Sequence, residues 1–473
     1  MAKLERSDGE LIVRDPATDE EVGRVPAQGR AEAHAAVQAA AEALPAWRAR
    51  SVDERAAILR RLSDRMLADR EALATLMTRE QGKPLAEARG EVVYAASFIE
   101  WAAEEAKRLH GEVVPAASAD KRIVVTRQPI GVTAAITPWN FPAAMITRKL
   151  GPALAVGCTM VVKPAEQTPL TALALTQHAT EAGVPPGVFG IVTGEPAPIA
   201  EGLLAHPALR KLSFTGSTEV GRLLAAQAAQ RVLRVSLELG GHAPFIVFDD
   251  ADLDAAVAGA IASKFRNMGQ TCICPNRFFV QKGVYEAFAT RLEAALSAMS
   301  LGHGLTEGVT AGPLIDDAGV AKVRRHLSDA LERGAKLRCG GEVIRPAPEL
   351  TERFVRPTIL DGVDASMLIS QEETFGPVVG LRAFETEAEA IALANDTDYG
   401  LAAYFYTRDA SRVWRVSEGL EYGIIGANDA AVSTARAPFG GVKQSGIGRE
   451  GGHWVMEEYT EVKYLSWALE RGT

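Results

Sequence analysis

Cysteine is scarce in this sequence. Four residues (Cys158, Cys272, Cys274 and Cys339) stand in 473, and they form no paired Cys-x-x-Cys motifs. That excludes a disulfide framework and a structural zinc site, so no metal is expected, and it fits a reducing, cytoplasmic setting. Long apolar runs are missing as well. No uninterrupted segment reaches the roughly 18 residues that a membrane span needs, and residues 1–10 are polar, without the apolar stretch of an export signal. There is no basic stripe: 51 Lys and Arg are dispersed among 60 Asp and Glu, for a net charge of −9. Nucleic acid and anionic membranes are therefore excluded as partners. Finally, no Gly-x-Gly-x-x-Gly turn follows an apolar strand, so the usual dinucleotide fingerprint is absent.

What is present reads as a globular α/β protein. Hydrophobic residues make up 47% and charged ones 23%, close to ordinary soluble usage. The chain is too long for one core, which implies two or three domains. Three helical segments are expected early: 31–44, ending at Pro45; a long amphipathic helix opened by the Ser51/Glu54 capping box; and one from Pro84 to about residue 109. Residues 111–128 read as a protruding hairpin, which gains stability only by packing on a partner. From Gly131, five short apolar runs (132–136, 159–162, 188–192, 209–214 and 233–237) alternate with helices, the pattern of a doubly wound parallel sheet. Ligands bind such sheets at the carboxyl ends of the strands, where Asn140, Lys163, Glu166, Gly216, Ser217 and Glu238 fall. A second α/β stretch from about 243 to 440 carries strand-like runs at 245–248, 278–281, 378–382, 401–406 and 424–426.

One stretch concentrates reactive residue types: Phe265-Arg266-Asn267-Met268-Gly269-Gln270-Thr271-Cys272-Ile273-Cys274-Pro275-Asn276. Gly269 permits close backbone approach. Asn267 and Gln270 are polar where a core cysteine would want apolar neighbours, and Pro275 ends regular structure. Cys272 is thus either a buried small hydrophobe or a nucleophile on a loop. Other segments also leave two readings open. Gly216-Ser217-Thr218-Glu219 either caps a turn or offers helix N–H groups to a phosphate. Lys163 and Glu166 are a solvated ion pair or ribose contacts. Asn140, between Trp139 and Phe141, caps a helix or meets a ligand. Glu238, in Leu237-Glu238-Leu239-Gly240-Gly241, is an edge residue or a buried acid with a raised pKa, suited to a general base.

Together these segments resemble the aldehyde dehydrogenase family over nearly the whole chain. Seven motifs match in order: Trp139-Asn140-Phe141-Pro142, Lys163-Pro164-Ala165-Glu166, Phe214-Thr215-Gly216-Ser217, Leu237-Glu238-Leu239-Gly240-Gly241, Gly269-Gln270-Thr271-Cys272, Glu373-Thr374-Phe375-Gly376-Pro377 and Pro438-Phe439-Gly440-Gly441. The resemblance implies a Rossmann-type cofactor domain (1–110 and 130–240), an α/β catalytic domain (241–440) and a small β oligomerisation arm (111–129 and 455–473) that makes a homodimer or homotetramer. It implies Cys272 as nucleophile, Glu238 as general base and Asn140 with the Cys272 N–H as oxyanion hole. Pro138, Trp139, Lys163, Glu166, Gly216, Ser217, Glu373 and Phe375 would bind the cofactor. A carboxylate at Glu166 would accept the ribose 2′-hydroxyl and repel a 2′-phosphate, so NAD is expected in preference to NADP.

Within the family the likeness is to succinate-semialdehyde dehydrogenases, where Arg148, Arg266 and Ser433 match carboxylate-binding positions. Arginine suits two-pronged capture of a carboxylate, although ordinary ion pairs are the alternative. The expected substrate is a short carboxylated semialdehyde, with glutarate semialdehyde or an uncharged aldehyde as alternatives. In that group the cysteine matching Cys274 can form a reversible disulfide with the nucleophile, and two cysteines at i and i+2 need a distorted loop to bridge. Residues 430–437 depart from the group's pattern, notably at Arg436. Coenzyme A-acylating relatives need no water-activating glutamate, so Glu238 counts against them. A cysteine esterase needs a histidine base, and none lies close to Cys272 in sequence.

Overall fold

The computed structural model describes residues 5–7 and 9–469. Three sheets organise it. The first has six strands in the order Gly446–Ile447, Arg234–Glu238, Leu209–Thr215, Val132–Ile136, Thr159–Lys163, Phe189–Ile191. The last five run parallel, and Gly446–Ile447 is antiparallel at the edge. These are the five apolar runs of the sequence. Val132–Ile136 and Thr159–Lys163 are buried at every residue, as a parallel sheet with both faces covered demands.

Helices cover both faces. On one side Leu59, Leu62 and Met66 of Val52–Ala68, Val92 and Ile99 of Leu85–Glu105, and Ile146 and Leu150 of Ala144–Val156 form one core. On the other, Val37 and Ala40 of Arg30–Ala49 meet Ile199 and Leu203 of Pro196–Ala205.

The second sheet has seven strands, in the order Lys336–Cys339, Thr358–Asp361, Val378–Phe384, Pro275–Gln281, Ala243–Val247, Ala402–Tyr406, Ile424–Ala427. Stacked aromatics, Phe245 on Phe278 at 4.9 Å and on Tyr406 at 5.2 Å, fill its centre. The third sheet is the expected hairpin, Glu112–Val114 and Lys121–Pro129, joined by Thr460–Ala468 pairing antiparallel along all nine residues of Lys121–Pro129. The ends of two segments assigned from the sequence, residues 1–4 and 470–473, lie outside the described residues, as does Asp8.

Three helix boundaries differ from the sequence reading. The first helix runs through Pro45 to Ala49. Trp47 sits just beyond the proline, fully buried, with its indole N–H donating to Leu154 O at 3.2 Å, and that anchor outweighs one lost helical hydrogen bond. The amphipathic helix stops at Asp69 and a separate one, Arg70–Gln81, follows before the left-handed Gly82. The third begins at Leu85 with Pro84 as its cap and ends at Glu105 in a short 3-10 turn, Ala106–Arg108.

Candidate active site

A cavity of about 350 Å3 opens between the first two sheets, at the carboxyl ends of Val132–Ile136, Leu209–Thr215 and Arg234–Glu238. Of the residues expected to bind or react, it is lined by Pro138, Trp139, Asn140, Gly216, Ser217, Cys272, Glu373 and Phe375. A second cavity of similar volume, about 370 Å3, is lined by Arg277, Arg382, Asp396 and Asp398 and holds none of them.

Cys272 reaches this cavity from a strongly bent loop. Asn267 and Met268 both adopt left-handed backbone, φ 48° and 55°, followed by Gly269 at +74°. A Cβ on Gly269 would meet Gly376 O at 2.3 Å, and one on Gly241 would meet Cys272 O at 2.2 Å. The two glycines let the nucleophile loop pack backbone to backbone against both neighbours. The structure leaves all four thiols free. Cys274 is buried, its sulfur 3.2 Å from Lys264 Nζ. Burial, with the nearby carboxylates of Glu373 and Glu238, pushes the Cys272 thiol up to about 12, against the pull of Arg148.

Asn140 is buried at the cavity wall. Its Nδ2 donates to Gln270 O at 2.9 Å, while its Oδ1 has no partner among the described residues. It therefore does not cap a helix, and its side chain spans the gap to the cysteine loop.

Glu238 ends its strand fully inside the protein, and neither carboxyl oxygen has a hydrogen-bond partner among the described residues. Burial, and then the charge of Glu450, hold its carboxyl well above the usual carboxylate range, with Arg148 and Lys149 pulling the other way. Room for it depends on Gly440, where a Cβ would lie 2.9 Å from Glu238 Oε1. Glu450, which the sequence reading passed over, is bound by Lys149 Nζ at 2.6 Å and by Arg148 Nε at 2.5 Å. Two adjacent cations in the otherwise apolar helix Ala144–Val156 were its signal.

The three candidate carboxylate-binding residues fall near one another but are differently engaged. Arg148 is buried, paired with Glu450, and sandwiched by Phe439 at 4.0 Å and Phe98 at 5.1 Å; its Nη2 has no partner among the described residues. That is the ordinary ion pair the sequence left open. Arg266 is half-buried, 4.5 Å over Phe141 and 6.0 Å over Tyr94, with no carboxylate in salt-bridge range among the described residues. The Ser433 hydroxyl meets the Tyr94 hydroxyl, so Tyr94, unmarked in the sequence, ties the helix Leu85–Glu105 to the 430–437 segment.

The cofactor-facing groups split in two. Trp139 and Phe375 meet edge to face at 5.5 Å across the cavity. Glu373 accepts from Gly241 N at 3.2 Å, and burial raises it to about 7. Ser217 caps the helix Thr218–Ala229 by accepting from Val220 N, and Lys322, also missed from sequence, lines the same space. An aromatic slot, a helix N-terminus and a carboxylate fit a dinucleotide. Lys163 and Glu166 lie outside the cavity lining and pair with each other, Nζ to Oε2 at 2.6 Å.

Comparison with known proteins agrees with this geometry. The model of the aldehyde dehydrogenase family matches residues 4–465. A protein of Escherichia coli K12 named succinate-semialdehyde dehydrogenase [NADP(+)] GabD is 59% identical over 98% of this chain and 95% of its own. A glutarate-semialdehyde dehydrogenase of Pseudomonas aeruginosa is 57% identical over 98% of this chain and 95% of its own. A crystal structure described as an E. coli NADP-dependent enzyme superposes with a TM-score of 0.95 at 58% identity, covering 97% of this chain and 95% of that one.

These relatives overturn the expected preference for NAD over NADP, since two of them are named for NADP. The structure supplies the physical reason. The Glu166 carboxylate is already engaged by Lys163, so it does not present the unpaired negative charge on which that expectation rested. Among the described residues no helix is long and apolar enough to cross a membrane. With a family model matched from end to end and the motif residues gathered around one cavity, the chain is an oxidoreductase that belongs to the aldehyde dehydrogenase family.

Proposed function

We propose that this protein oxidises a short aldehyde carrying a carboxylate at its far end, succinate semialdehyde first, and that NADP is a dinucleotide it accepts. The observation that carries the substrate reading is Arg266. Its guanidinium lies on the turn that leads into Cys272, stacked on Phe141 and Tyr94 without a carboxylate of the described chain in salt-bridge range. A cation held in that way is ready for an external anion, where bidentate geometry gives both energy and orientation. Ser433 and the free Nη2 of Arg148 add donors on the same side. The names of the relatives above support the class, and glutarate semialdehyde is the longer alternative.

In this reading the Cys272 sulfur adds to the aldehyde carbon once its proton is removed, and Asn140 Nδ2 with the Cys272 N–H holds the resulting oxyanion. The nicotinamide supplies a hydride acceptor when bound in the Trp139–Phe375 slot. Glu238 then takes a proton from water, which attacks the thioester at Cys272 and releases the acid. Lys149 and Arg148 keep Glu450 charged beside Glu238 and so tune that base. The three-stranded arm would pair subunits.

The test compares kcat/KM for succinate semialdehyde with that for butanal, which has the same carbon count and no carboxylate, using both NADP and NAD. A strong preference for the semialdehyde, lost in Arg266→Ala through a raised KM, is expected. Equal efficiency on the two aldehydes would sink the reading.

A further inference from the structure

The loop Gly82-Lys83-Pro84, between the helices Arg70–Gln81 and Leu85–Glu105, lies more than fifty residues before the first motif residue, yet it reaches the centre of the site. Lys83 is buried, and its Nζ donates to the backbone carbonyl of Asn140 at 2.7 Å. It also lies 4.1 Å from the centroid of the Phe141 ring. The same ammonium is bound by Glu91, whose other oxygen accepts from Ala143 N at 3.0 Å and Ala144 N at 3.3 Å. One ion pair thus grips the backbone at Asn140 and just beyond it.

The Asn140 carbonyl takes a second donor. Asn267 Nδ2 lies 3.1 Å from it and 3.5 Å from Gln270 O, the carbonyl that also receives the Asn140 side chain. Asn267 is fixed in turn. Gln81 Nε2 donates to its Oδ1 at 3.0 Å, and its own N–H donates to Glu87 at 2.8 Å. These contacts hold a non-glycine residue in left-handed backbone, φ 48° and ψ 34°, where side chains are disfavoured and asparagine is among the more tolerated.

We propose that Lys83 and Asn267 are positioning residues for the oxyanion hole. By converging on one carbonyl they set the place of the Asn140 amide relative to the loop that carries Cys272, and so the distance between the two donors that receive the oxyanion. The inference rests on the reading of Asn140 as an oxyanion donor. Its physical basis is that preorganised donors lose effect when displaced: a shift of about 1 Å can cost on the order of 10²-fold.

The test is a double-mutant cycle on kcat with the full-length enzyme. Asn267→Gly removes the amide but keeps a residue that accepts φ 48°, and Lys83→Met with Glu91→Gln removes the charge pair without leaving either ion alone. Asn140→Ala is expected to lower kcat by roughly 10²- to 10³-fold, the usual loss for one such donor.

In the wild-type background, Asn267→Gly is expected to lower kcat at least about tenfold with KM little changed. In the Asn140→Ala background it should cost less than about twofold, because its lever is already gone. Iodoacetamide modification of Cys272 should keep its wild-type rate in Asn267→Gly, showing a thiol still in place. Losses that add fully across the cycle, or no loss in the wild-type background for either variant, would overturn the positioning role. Near-normal turnover in Asn140→Ala would instead overturn the oxyanion reading beneath it.

Discussion

Cys272 carries the chemistry from a place that resists its ionisation. Burial, Glu373 and Glu238 raise its thiol to about 12, so in the free enzyme the thiolate fraction is small at neutral pH and grows with pH. The sign is fixed by the charged form being the disfavoured one. Alkylation of the free enzyme by iodoacetamide is therefore expected to keep accelerating with pH as far as the fold survives. A plateau near the ordinary cysteine pKa of about 8.5 would contradict the assignment. The same logic explains why the reacting residues were legible in the sequence while those that tune them were not. Cys272, Glu238 and Asn140 sit in motifs whose residue types are unusual for a core. Glu450, Lys83 and Asn267 act through contacts spanning 301, 57 and 127 positions, and nothing local in the sequence announces such partners.

The elements show a similar division. Short apolar runs translated directly into strands, because a strand buried on both faces leaves no other composition. Helix ends were harder. Pro45 reads as a stop, yet the helix Arg30–Ala49 continues past it because Trp47 is locked under Leu154. Pro45→Ala is accordingly expected to leave the fold intact, and Trp47→Ala to destabilise it by about 3–5 kcal/mol, as for other buried aromatics. Denaturant midpoints measured on both variants check this, and a larger loss at Pro45 than at Trp47 would show that the proline, not the tryptophan, sets the segment. The break at Asp69 was invisible in the sequence, since the apolar spacing of Val52–Ala68 runs on into Arg70–Gln81 with only one residue between them.

At the scale of the whole molecule the arm is the conspicuous unfinished surface. Val113 is 74% exposed and Val462, Tyr464, Leu465 and Trp467 are each more than half exposed, an apolar surface of the kind that marks contacts between chains. Light scattering is expected to report a dimer or tetramer for the wild type. Paired Val462→Lys and Trp467→Lys changes should shift it toward monomer. A monomeric wild type would remove the arm from any role in assembly.

One further consequence follows from the strand Gly446–Ile447, which pairs with the strand that carries Glu238 and leads directly to Glu450. The apolar sheets and most of the cavity wall are encoded well before it, and the final strand, Thr460–Ala468, comes later still. During synthesis a ribosome has therefore released nearly the entire thiol-bearing body before the segment that flanks its base exists. A nascent chain can bury its cores early, but its reactivity is switched on only as translation ends, which keeps an unfinished polypeptide from trapping aldehydes.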